Sequence, residues 1–109
     1  MTRFLIIFTA LISISGVSIK SVQSENLIKN ADIAYGEYLA GECVTCHRNG
    51  AANDGIPNIS GMEAEAFVYI LQSYRSKELE NKVMQLVAGR LDDEQIASLA
   101  VYFASLSSE

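Results

Sequence analysis

Cys43, Cys46 and His47 are the residues whose types and spacing speak most directly of chemistry. They stand in the string Cys43-Val44-Thr45-Cys46-His47, and they are the only two cysteines and the only histidine in the chain. On a helical turn, positions i, i+3 and i+4 share one face. Two thiols and an imidazole so placed can reach a single flat ligand. Cys-x-x-Cys-His is the attachment signal for c-type haem. Each thiol can add to a haem vinyl to form a thioether, and His47 can bind the iron as proximal ligand. Two other chemistries use such residues. A dithiol-disulfide site would serve an exported oxidoreductase, but it normally follows a strand and opens a helix, and no strand-like run is visible here. A zinc site needs about four ligands, and these residues supply three.

The elements that must position this string are helical. Asn26 to Gly41 reads as a helix, with Ile28, Ala31, Tyr35 and Leu39 on one stripe. Asn30 or Asp32 offers a cap for a later start. Gly36 lies inside this helix, where glycine costs about 1 kcal/mol relative to alanine; close approach of a second helix would justify it. From Arg48 to Gly61 the periodicity gives way to loop chemistry: Asn49-Gly50, Asp54-Gly55 and Pro57, the only proline. The Pro57 carbonyl could accept the Nδ1 proton of His47 and fix the ring; an ordinary turn proline is the alternative. Glu63 to Ser76 reads as a further helix with Phe67, Ile70, Leu71 and Tyr74 inward, its acidic start and basic end matching the helix dipole. Lys77 to Gly89 shows no clear period and reads as irregular. Leu91 then opens the cleanest helix. Asp92 and Gln95 form a capping box, Leu91 and Ile96 are spaced as a hydrophobic staple, and Ile96, Leu99, Ala100, Phe103 and Leu106 make the buried face.

A haem iron that shuttles electrons needs a second axial group. With no further histidine, methionine is the natural donor, and a Met/His pair raises the reduction potential. Beyond the amino-terminal segment the chain offers Met62 and Met84. Met62 stands at a helix entrance, where it can fill core; Met84 lies far along the chain from His47 and is the expected distal ligand. An open iron site that binds small gases is the alternative.

The amino-terminal segment looks like an export signal. Arg3 precedes an apolar or small run from Phe4 to Val17, and Val22-Gln23-Ser24 offers a cleavage site. The run is shorter than the roughly 20 residues that span a bilayer; an uncleaved anchor is the alternative. The expected division is residues 1–24 as signal peptide and 25–109 as one domain, exported to the periplasm, with no stable membrane span after cleavage. That domain is small for a self-sufficient core, and a covalent haem would supply an apolar nucleus. The net charge of −5 argues against a nucleic-acid partner and is compatible with docking to redox proteins. Arg48, Arg75, Lys77 and Lys82 are candidates for steering such a partner.

Together, Gly36, Leu39, Cys43, Cys46, His47, Pro57, Met84 and Leu99-Ala100-Val101-Tyr102-Phe103 resemble a class I c-type cytochrome with one haem. The resemblance implies a small all-α fold, three to four helices around one covalent haem c. Its amino- and carboxy-terminal helices would cross, with Gly36 meeting Tyr102 or Phe103. It implies thioethers at Cys43 and Cys46, His47 as proximal ligand supported by the Pro57 carbonyl, Met84 as distal ligand, and electron transfer rather than catalysis. At a finer level, Gly55-Ile56-Pro57-Asn58-Ile59-Ser60-Gly61-Met62, Tyr74-Arg75-Ser76, Met84 and Ala88-Gly89-Arg90-Leu91 are similar to the cytochrome subunit of flavocytochrome c sulfide dehydrogenase and to related small cytochromes of sulfur oxidation. That implies a flavoprotein dehydrogenase subunit as a partner. The flavocytochrome subunit commonly carries two haem domains, whereas this chain has one attachment motif.

Overall fold

A computed structural model describes residues 19–48 and 55–108. Residues 1–18 of the expected leader 1–24, and residues 49–54, lie outside the described residues. The described residues form six helices and no strand: α1 (Ile19–Lys29), α2 (Ile33–Leu39), α3 (Gly41–Val44), α4 (Ala64–Arg75), α5 (Lys82–Ala88) and α6 (Asp93–Ser105). α1 begins within the expected leader. The fold is all-α, as a small cytochrome c fold requires.

The helix count exceeds three to four for two local reasons. The first predicted helix is broken at Asp32, whose carboxylate accepts the N–H groups of Ala34 and Tyr35 at 2.9 and 3.2 Å and starts α2 afresh. The stretch read as irregular before Leu91 contains α5, which Asn81 caps. The other boundaries follow the local chemistry. Glu63 accepts from the N–H groups of Glu65 and Ala66, which holds its carboxyl below the ordinary range. Asp92 and Gln95 exchange both bonds of a capping box, at 2.8 and 3.0 Å.

α6 is the centre of the molecule. It packs against α2, α4 and α1, and its contact with α2 is the most extensive helix pair. Ile96, Leu99, Ala100 and Phe103 are buried, as the helical period predicts, and Leu106 is half-buried. Ala97 and Ser98 are buried as well, Ser98 because α2 comes close to it at Gly36. A Cβ there would collide with the Ser98 carbonyl oxygen and lie 2.9 Å from Tyr102 Cβ. The predicted aromatic neighbour is therefore Tyr102, but the tighter contact is with backbone. Ser98 repays the approach: its hydroxyl accepts the Asp32 N–H at 3.2 Å, joining the start of α2 to the middle of α6.

α4 supplies Phe67, Val68 and Leu71 to the same core, and Phe67 stacks on Phe103 with ring centroids 5.5 Å apart. Its buried stripe includes Val68 and Ser73, with Ile70 and Tyr74 only half-buried, because α1 also packs against α4. The segment before α4 is tied to the end of α6: Gly61 N–H donates to the Phe103 carbonyl at 2.8 Å. Gly61 has φ +77°, and a Cβ there would lie 2.9 Å from Ser108 Cβ.

Candidate haem site

The chain leaves α2 without losing its helical sense. Ala40 N–H donates to the Gly36 carbonyl, and the Ala40 carbonyl receives Cys43 and Val44 N–H at 2.9 and 3.1 Å, forming the single turn α3. Cys46 and His47 come after α3, yet the Cys43 carbonyl accepts both their N–H groups, at 3.2 and 2.9 Å. One further helical turn is thus closed by backbone bonds, and Thr45 braces it by donating to the Gly41 carbonyl at 3.2 Å. The i, i+3, i+4 relation of Cys43, Cys46 and His47 is therefore built into the backbone.

No disulfide joins the two cysteines; Cys43 is half-buried against the hydrophobic core and Cys46 is exposed. Burial pushes the Cys43 thiol up, and the neighbouring Glu42 carboxylate adds to the rise. A dithiol redox site works in the opposite direction, by lowering a thiol pKa.

His47 Nδ1 lies 2.7 Å from the Pro57 carbonyl oxygen. A carbonyl oxygen only accepts, so Nδ1 carries the proton of this bond and Nε2 is the nitrogen left to bind a metal. Pro57 is placed by its own loop. Asn58 accepts the Ser60 N–H at 3.0 Å, Ile59 is buried in the core, and Gly55 turns the chain at φ +89°.

Met84 lies in the first turn of α5, half-buried and packed against the core cluster that also receives Cys43. It belongs to a short helix rather than to irregular chain, and Val87 and Ala88 are on its side one turn on. Met62, the other candidate, also packs against this core. The signal overlooked in the sequence is Asn81, three residues before Met84 at the spacing of a helix cap.

These residues fit a haem better than a bare metal ion. Among the described residues no three His, Cys, Asp or Glu side chains converge to hold an ion, whereas a porphyrin brings four nitrogens and asks the protein for one or two axial donors. The segments carrying Pro57 and Met84 also leave Ile56, Leu79, Val83 and Leu86 exposed, at 36%, 39%, 65% and 67%. Such apolar surface could cover a large flat ligand. No helix among the described residues is long and apolar enough to cross a membrane.

No protein-family model matches the chain. The chain is 33% identical over 81 residues to cytochrome c-554(548) of Halomonas halodenitrificans, an alignment that takes in 68% of this chain and 95% of that protein. With that identity over nearly the whole of its relative, and an all-helical frame presenting a Cys-x-x-Cys-His turn, the chain belongs to the c-type cytochromes, electron carriers that use haem c.

Proposed function

We propose that the chain is an exported one-electron carrier with a single haem c, attached through Cys43 and Cys46 and ligated by His47 and Met84. The observation that carries this reading is the 2.7 Å bond between His47 Nδ1 and the Pro57 carbonyl, which orients the ring and leaves Nε2 as the donor. When bound, the haem iron supplies one-electron chemistry, ferric to ferrous and back. The Cys43 and Cys46 thiols would each hold the haem by adding across a vinyl group, with a carbon–sulfur bond formed and the thiol hydrogen passed to the neighbouring carbon. Met84 offers a neutral thioether, which favours the ferrous state and raises the reduction potential. Arg48, Lys77 and Lys82 are exposed cations suited to steering a redox partner. Arg75 is not equivalent to them, because it is engaged with Asp93 and the Leu91 carbonyl. Export to the periplasm is supported by Arg3 and the apolar run from Phe4 to Val17.

The test is an absorption spectrum, oxidised and reduced, of the protein purified natively, alongside two variants. Low-spin c-type bands are expected. Met84→Ala should keep the haem attached and lose the methionine–iron charge-transfer band; retention of that band would remove Met84 from the site. Cys43→Ser with Cys46→Ser should lose covalent haem.

A second reading, a subunit of a flavin-containing sulfide dehydrogenase, is favoured only by the finer resemblance. Two stretches of that resemblance meet inside the fold, where Arg75 donates to the Leu91 carbonyl at 3.0 Å. They brace α4 against the entry to α6, a structural task that needs no flavoprotein. Flavin absorbance in fixed ratio to haem in the natively purified protein would reverse the preference.

A further inference from the structure

The backbone around Met84 is held in an unusual way: by side chains on both sides of it. Asn81 Oδ1 accepts the backbone N–H of Met84 itself, at 3.0 Å. On the other side, the Gln85 side-chain amide donates to the Leu79 carbonyl at 2.9 Å, and the Gln85 N–H donates to the Asn81 carbonyl at 2.8 Å. Leu79 N–H in turn donates to the Ser73 carbonyl of α4 at 3.2 Å. The segment 79–85 is therefore a small clamp anchored to α4, with Met84 between its jaws.

Beyond this clamp, α5 is held by its packing on α4, with Ala88 buried and Met84 and Val87 half-buried. It is seven residues long, and Val83 and Leu86 on its outer side are exposed. A helix of that length does not persist by itself in water. Loss of its cap frays the first turn, and that turn contains Met84. α6 differs: it is thirteen residues long and its face is buried in the core. Loss of the Asp92 cap there lowers stability without loosening anything near Met84.

We propose that Asn81, assisted by Gln85, is a positioning residue that holds the Met84 thioether on the iron and sets how easily an outside ligand displaces it. Met84 as distal ligand, proposed above, is the premise. The side chain that gates ligand exchange then acts through the Met84 amide.

Imidazole titration of the ferric holoprotein tests this, with loss of the methionine–iron charge-transfer band as readout and the thermal midpoint measured in parallel. Asn81→Ala should tighten apparent imidazole binding about fivefold, the factor that corresponds to a lost helix cap. Asn81→Asp, which restores an acceptor at the cap, should return the affinity to that of the natural protein. Gln85→Ala should shift it in the same direction by about two- to threefold, and it provides the test should Asn81→Ala fail to accumulate. Asp92→Ala should lower the thermal midpoint and leave imidazole affinity unchanged. Unchanged affinity in Asn81→Ala, or an equal shift in Asp92→Ala, would overturn the proposal while leaving Met84 in place. Persistence of the band in Met84→Ala would instead remove the premise, whatever Asn81 does.

Discussion

The crossing of α2 and α6 and the segment that carries Met84 are built on opposite plans. At the crossing, backbone meets backbone. Gly36 lies against the Ser98 carbonyl, Ser98 is fully buried, and its hydroxyl closes on the Asp32 N–H. Around Met84, the backbone is held by the polar ends of Asn81 and Gln85, both open to water to some degree, while Val83 and Leu86 face outward. The first plan makes a frame; the second makes a part that can let go. Cys43, Cys46 and His47 stand with the frame, because their turn continues directly from α2 through backbone bonds.

The comparison breaks most visibly at Gly36. Gly36→Ala places a methyl group into the Ser98 carbonyl, and overpacking of this kind should cost about 3 kcal/mol. Chemical denaturation of the holoprotein would read it, and a loss below about 1 kcal/mol would mean that α2 can retreat freely. Next comes Asp92→Ala, which removes the capping box of α6 and should cost about 1 kcal/mol by thermal unfolding.

Arg75→Ala probes the brace between α4 and α6. Hydrogen bonding to Arg75, with help from Gln72, holds the Asp93 carboxyl below its ordinary value. A depressed carboxyl contributes stability above its unfolded pKa and loses it as pH falls through the folded one. The variant should therefore lose about 0.5 kcal/mol near neutral pH, screened by salt, and the difference from the natural protein should shrink in acid to what the Leu91 carbonyl bond contributes. A loss independent of pH would assign the effect to the Leu91 carbonyl bond alone. The smallest change lies at the edge of the Met84 segment. Lys77 follows the end of α4 with φ +67°, a left-handed conformation that favours glycine. Lys77→Gly should stabilise by about 0.5 to 1 kcal/mol; destabilisation would show that the lysine side chain makes a contact worth more than the strain.

What the sequence reveals follows the same division. The period of Ile96, Leu99, Ala100 and Phe103 is legible because α6 is long and one-sided, and the Asp92–Gln95 box is local chemistry that needs no tertiary context. Gly36 is legible as a place of close approach. Its consequence is not: the burial of Ser98 depends on how near α2 comes, which no helical period encodes. α5 escapes the pattern because seven residues give scarcely two turns, and its outward positions are as apolar as its inward ones. Val68 is hidden for a related reason, since α1 and α5 as well as α6 pack against α4. At the site, the spacing of Cys43, Cys46 and His47 is plain in the chain, whereas the Asn81 cap is a single polar residue in a stretch without rhythm.

The bond between Asp32 and Ser98 also bears on how the protein reaches its fold. Its partners are 66 positions apart, so the frame exists only after most of the chain has been brought round on itself. Closing a loop of that length costs conformational entropy before any contact offsets it, and contacts so distant in sequence slow folding. A chain tethered at Cys43 and Cys46 to a large apolar group would have a collapse centre near one end of that loop. In refolding experiments Gly36→Ala should then tell when the frame forms: slower folding if the crossing belongs to the transition state, faster unfolding if it is the last contact made.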